Sequence, residues 1–133
     1  MGLKSIIMKK IFTIIASFVL LTSFTNFSSL DDIINGLKQG NASQVSKYFD
    51  NTVEITLPEK SSSYSKSQAD LIIRDFFNNN LIKGFQVIHK GENAGSQYCI
   101  GTLVTRNASF RTTIFMKQKG EKQTLQEIRI ENF

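Results

Sequence analysis

Hydrophobic residues divide this chain into segments of different period. An uninterrupted apolar run, Ile11 to Leu21, follows a stretch whose only charges are Lys4, Lys9 and Lys10. Next, Leu30, Ile33, Ile34 and Leu37 fall at i, i+3, i+4 and i+7, the spacing of one helix face. Ser28 and Ser29 are candidate N-caps, Asp31 and Asp32 complement the first turn, and Gly40 ends the segment. Asn41 predicts a second, short helix with Val45, Tyr48 and Phe49 inward, Gln44 placed for a capping-box return contact, and Asp50-Asn51 closing it. From Thr52 to Leu57 the period is two: Val53, Ile55 and Leu57 on the core side, Glu54 opposite, and Pro58 at the end, the pattern of a strand.

Glu59 to Ser65 is polar and reads as a loop with a small strand at Ser62 to Ser65. Overlapping capping patterns, Ser65 to Gln68 and Ser67 to Asp70, introduce a helix over about Ser67 to Asn79, with Ala69, Ile72, Ile73, Phe76 and Phe77 on one face. The Asn78-Asn79-Asn80 run stops it. Period two then holds to the C-terminus. Phe85, Val87 and His89 share one face against Gln86, Ile88 and Lys90, and Gly91 to Gly95 forms a hairpin loop. Tyr98 to Thr105 is apolar on both sides, as a central strand would be. Phe110, Thr112, Ile114 and Met116 form the next inner set, and Ile128 and Ile130 alternate with Glu127, Arg129 and Glu131 in the last strand, Gln123 to Glu131. Short loops between these strands predict an antiparallel meander, so the order describes one α+β domain over residues 28–133 whose curved sheet wraps the long helix as a cone.

The leader changes the later counts. A basic start, a short apolar core and small residues at Thr22, Ser23 and Thr25 form the layout of a secretory signal over residues 1–27, with cleavage expected near Thr25. A retained anchor is the alternative, although the run falls short of the roughly 20 residues that span a bilayer. A lipoprotein needs a cysteine just after the apolar core, and the only cysteine is Cys99. Without the leader lysines the formal charge drops from +5 to +2, 13 Lys and Arg against 11 Asp and Glu, which implies no nucleic acid partner. Lys117, Lys119 and Lys122 around Gly120 read as a solvated hairpin tip. One cysteine rules out an intramolecular disulfide, so the core alone must hold the domain.

The order of helices and strands, the Phe76-Phe77 pair in the long helix and the closing Leu125 to Glu131 strand resemble the nuclear transport factor 2-like, or cystatin-like, superfamily. The stretches Tyr64 to Phe77 and Tyr98 to Leu103 are similar to a family of short exported bacterial proteins of unassigned function. That resemblance implies a cone-shaped roll, frequent dimers through the sheet, and a pocket that some members use for catalysis and many for binding or assembly. Fold analogy does not choose among these roles.

Residues that declare chemistry are few. His89, the single histidine, is expected inside the cone, where it would act as a general base if an inward carboxylate oriented it. Glu54, Glu127, Glu131, Asp70 and Asp75 all alternate away from the apolar set, so no partner is evident. Cys99 in mid-strand reads as a small buried hydrophobe. One histidine and one cysteine cannot build a zinc set, and no phosphate loop or dinucleotide fingerprint occurs, so neither metal nor cofactor is expected. Tyr64, Phe77, His89, Tyr98 and Phe110 are pocket candidates between helix and sheet, for which core packing is the plainer alternative. Ile88, Leu103 and Phe115 are expected on the convex side, where a homodimer would cover them. The functional expectation is an exported, non-enzymatic binding or assembly domain of the bacterial periplasm or cell envelope, with a small apolar ligand or an envelope protein as partner and no stable membrane span after cleavage. The alternatives are a small-molecule enzyme of isomerase or dehydratase type using His89, and an immunity or secretion-accessory protein.

Overall fold

The computed structural model describes residues 28–133, so the leader, with its expected signal or anchor, lies outside the described residues. Ser28 caps helix α1 (Ser29–Gln39) by accepting the Asp31 N–H at 3.2 Å, and Gly40 ends it at φ 66°, a left-handed conformation natural to glycine. Asn41 caps α2 (Ala42–Ser46) through the Gln44 N–H. The Gln44 side chain returns to Asn41 only by accepting from its side-chain amide at 3.5 Å, and it donates to Asp32 Oδ1 at 3.0 Å, which ties α2 to α1.

This second helix is shorter than its apolar residues predict. Strand β1 (Phe49–Leu57) takes over at Phe49, because Leu125 N–H donates to the Tyr48 carbonyl at 2.7 Å and Phe49 lies beside Leu125. Asp50 and Asn51, expected to close a helix, therefore belong to a strand. The serine-rich stretch is likewise a strand, β2 (Lys60–Ser65), paired antiparallel with β1 from Leu57 opposite Lys60 to Thr52 opposite Ser65. A tight turn at Pro58-Glu59 fixes that register and overrides the weak strand preference of serine. Ser65 then caps the long helix α3 (Lys66–Asn79), and Asp70 and Arg74 pair along its exposed side at 3.0 Å.

The remaining strands are β3 (Ile82–Asn93), β4 (Ser96–Thr105), β5 (Ser109–Lys119) and β6 (Lys122–Glu131). They form the expected meander within a curved six-stranded sheet of order β2-β1-β6-β5-β4-β3, antiparallel except where β1 runs parallel to β6. The β3–β4 connection is tighter than the loop expected, since both strands run on to a two-residue turn, Ala94 and Gly95, each with positive φ. Helices α1 and α3 cover one face of the sheet. On that face Ile55, Ile128, Ile114 and Cys99 stand side by side across β1, β6, β5 and β4, and Phe85, Leu103 and Phe110 do the same across β3, β4 and β5. All seven are buried.

The pairing corrects two face assignments. Leu103, expected on the convex side, is fully buried: it lies opposite both Phe85 and Phe110, which places it on the helix-covered face. His89, expected inside the cone, is outside it. Val87 pairs with Gly101 and His89 with Ile100, so Ile88 is an extra residue and β3 bulges there. The bulge shifts the alternation, and the inward place passes to Lys90, opposite Cys99. Ile88 itself is 66% exposed, in keeping with its expected outward position.

Candidate functional site

The expected pocket residues separate into two groups. Phe77 and Phe110 are core residues, with Phe76 packed edge-on against both at 6.4 and 5.6 Å between centroids. Phe85 fills the space over Gly101, where an added Cβ would lie 2.4 Å from its ring. Tyr64, opposite Val53, packs half-buried at the edge of the same core. His89 and Tyr98 are on the other face. The Nε2 atom of His89 stands 2.7 Å from the Tyr98 hydroxyl, with the rings tilted at 49°. This histidine, expected inward, is thus partnered by a phenol outside the cone, where no carboxylate among the described residues orients it.

Cys99 is buried, and burial pushes its thiol up to about 11, a shift that the nearby Lys90 charge only partly opposes. Such a thiol is a poor nucleophile near neutral pH. Lys90 bridges from β3 to Asp31 of α1 at 3.2 Å. A second polar hub lies at the helices, where Asp32 accepts from the Tyr48 hydroxyl at 2.5 Å and from Lys47 at 3.2 Å. The Tyr48 hydrogen bond is the main cause holding the Asp32 carboxyl below the usual carboxylate range. This hub fastens α1 to α2 and the start of β1. Among the described residues no group of three His, Cys, Asp or Glu side chains could hold a metal ion.

The uncovered face of the sheet is more varied. Tyr98, Ile100 and Phe115 are half-buried there, Tyr98 directly opposite Phe115, and Val104 and Ile88 are exposed beside them. The row through Phe115 continues over Glu127 and Glu54 to Ser63. At this end the ladder opens. Between the pairs Phe49–Leu125 and Glu54–Glu127, four residues of β1 stand where β6 has only Gln126, itself the extra residue of a bulge against β5. The opening forms a groove of about 520 Å³ lined by Asp50, Glu54, Phe115, Lys119, Gln126 and Glu127, with Asn51, Thr52 and Ser63 at its sides.

Asp50 is the most constrained side chain in the groove, only 11% exposed. Its Oδ2 accepts from Lys119 at 2.5 Å and from Gln126 Nε2 at 2.7 Å, and its Oδ1 from the Asn51 N–H at 2.8 Å. The Lys119 contact is the main cause holding this carboxyl below its ordinary range, and Gln126 adds to it against an opposing effect of burial. Lys119 therefore does more than solvate a hairpin tip. Glu127 pairs with Arg129 at 3.3 Å, while Glu54 is exposed. Sequence reasoning missed Asp50, Lys119 and Gln126 as a group, because their proximity arises from a parallel pairing and two irregularities that no local pattern announces.

No helix among the described residues is long and apolar enough to cross a membrane. Residues 30–131 match the model of a domain of unknown function, DUF4783. A DUF4783 family protein from Bacteroides ovatus is similar at 31% identity, over 77% of this chain and 93% of its own, with a TM-score of 0.74. Another, from Bacteroides uniformis, is 30% identical over 77% of this chain and 95% of its own, at 0.75. An NTF2-like protein of unknown function from Cytophaga hutchinsonii shares the fold at 10% identity, over 80% of this chain and 91% of its own, at 0.57. No curated protein matches the chain. With nearly all of the described residues matched, and in agreement with the superfamily that its element order resembles, the chain belongs to the DUF4783 family and has an NTF2-like fold.

Proposed function

We propose that this protein is a non-enzymatic binding or assembly domain, exported to the cell envelope, that pairs with a second copy through the uncovered face of its sheet. The observation that carries the reading is the distribution of aromatic side chains. Phe76, Phe77, Phe85 and Phe110 pack against one another or close the core, whereas Tyr98 and Phe115, paired across β4 and β5, and Ile100, two residues along β4 from Tyr98, remain half-buried with no helix over them. A contiguous apolar patch of this kind marks an interaction surface. Arg111 and Lys117 stand on the same side of β5 as Phe115, and Glu127 and Glu131 on that side of β6, so the patch is rimmed by both signs of charge. Such a rim lets the face meet its own copy about a two-fold axis without net repulsion. Leu103 takes no part; Phe115, Ile88, Ile100 and Tyr98 do.

Export is read from the leader, Lys4 to Thr25, and the catalytic alternative loses its site once His89 stands outside the cone beside Tyr98. Sedimentation of the wild type and of Phe115→Lys tests the assembly. A dimer at micromolar concentration that becomes a folded monomer in the variant is the expected result, since two lysines would face each other near the axis. A monomeric wild type removes the reading.

A further inference from the structure

The groove at the β1–β6 opening has a chemistry of its own. Its three carboxylates, Asp50, Glu54 and Glu127, are opposed by Lys119 on Asp50 and Arg129 on Glu127, which leaves one uncompensated charge at the exposed Glu54. An anionic ligand would meet three carboxylates, and a polycation would find one free partner. The volume, about 520 Å³, lies within the range of small-molecule sites. Donors and acceptors alternate around it. Asp50 and Glu127 accept, the Lys119 ammonium and the Asn51 amide donate, the Thr52 and Ser63 hydroxyls do either, and Gln126, whose two amide N–H groups go to Asp50 Oδ2 and Thr124 Oγ1, offers its amide oxygen. Phe115 supplies a half-buried aromatic wall.

We propose that this groove is a carbohydrate subsite that takes a neutral sugar ring. Adjacent ring hydroxyls each donate one hydrogen bond and accept others, so a vicinal pair satisfies neighbouring donor and acceptor side chains at once. A purely accepting or purely donating ligand leaves half of these groups unpaired, which is costly wherever they lose water. Asp50 is held in place by three donors and keeps one acceptor position on Oδ1 for a ligand hydroxyl, so little side-chain freedom is lost on binding.

This inference names a ligand for the binding role proposed above. Phe115, at one side of the groove, belongs to the face proposed to self-associate, so the variants below lie away from it on β1 and β2, and a failure here leaves the sedimentation result untouched. Saturation-transfer NMR on the purified protein tests it with maltose, cellobiose and diacetylchitobiose as neutral probes, and with galacturonate and acetyl-arginine amide as charged ones. Transfer from at least one neutral sugar and none from galacturonate is the expected result. Asn51→Ala removes a donor and Ser63→Ala a hydroxyl at the open wall; each should weaken binding by about three- to tenfold. Transfer from acetyl-arginine amide alone, no transfer from any probe, or affinity unchanged in the variants overturns the proposal.

Discussion

Asp50 shows how a residue with no local signature becomes a structural centre. In the sequence it follows an apolar helix stripe and looks like a helix end. In the fold it receives Lys119 from the β5 tip and Gln126 from β6, 76 positions away along the chain. The sign of its effect on stability follows from the direction of its shift. A carboxyl held below its ordinary value of 3.8 stabilises the folded state above that pH, and the contribution disappears as the pH falls through the lower folded-state value. Asp31, held down mainly by Ser28, and Asp32, held down mainly by Tyr48, act in the same window. Urea midpoints of the wild type should therefore drop steeply in acid below about pH 4. Asp50→Asn should start from a lower midpoint at neutral pH and fall less steeply in acid. Parallel acid limbs for the two proteins would mean that the Lys119 contact is screened away by solvent.

At the scale of elements, legibility follows the reach of the signal. Helices α1 and α3 announce themselves because cap and period lie within one segment: Ser28 and Ser65 accept the N–H groups of Asp31 and Gln68, three residues on. Strands β3 to β6 are legible as a meander because their turns are local. Strand β2 is legible only in part: the small strand expected at Ser62 to Ser65 begins earlier, at Lys60, because its extent comes from pairing with β1 rather than from the weak strand preference of its serines. The bulge at Ile88 is also invisible, because counting by two assumes a regular ladder; that single residue moves His89 from the cone to the outer face. The buried aromatic stripe of α3 is the firmest link between pattern and packing. Phe76 contacts Phe110 across the helix–sheet boundary, and Phe76→Ala should cost about 3–5 kcal/mol in denaturant melts. A loss under about 1 kcal/mol would show that the sheet closes over the gap without that ring.

For the whole molecule, compartment and core are linked by what the domain lacks. Its only cysteine is a buried free thiol, so an exported copy meets an oxidising space with no disulfide to form and no exposed thiol to be trapped. Stability there rests on the continuous core from Leu30 to Ile130 that α1, α3 and the sheet share. The proposed roles of the outer face depend on compartment as well: a half-buried aromatic patch is tolerable on a protein that finds its second copy, and a groove on an exported domain would meet glycans. Under the proposed roles the leader, which ends just before Ser28, the cap of α1, directs the chain outward and is then removed. Intact-mass measurement on protein recovered from the envelope should accordingly show a chain that begins near Thr25 and lacks Lys4, Lys9 and Lys10. A mass that includes Met1 to Phe27 in the membrane fraction would replace the cleaved signal with an anchor. The domain would then be tethered a short distance from α1, and the outer sheet face would pair with its partner at the membrane surface rather than free in the periplasm.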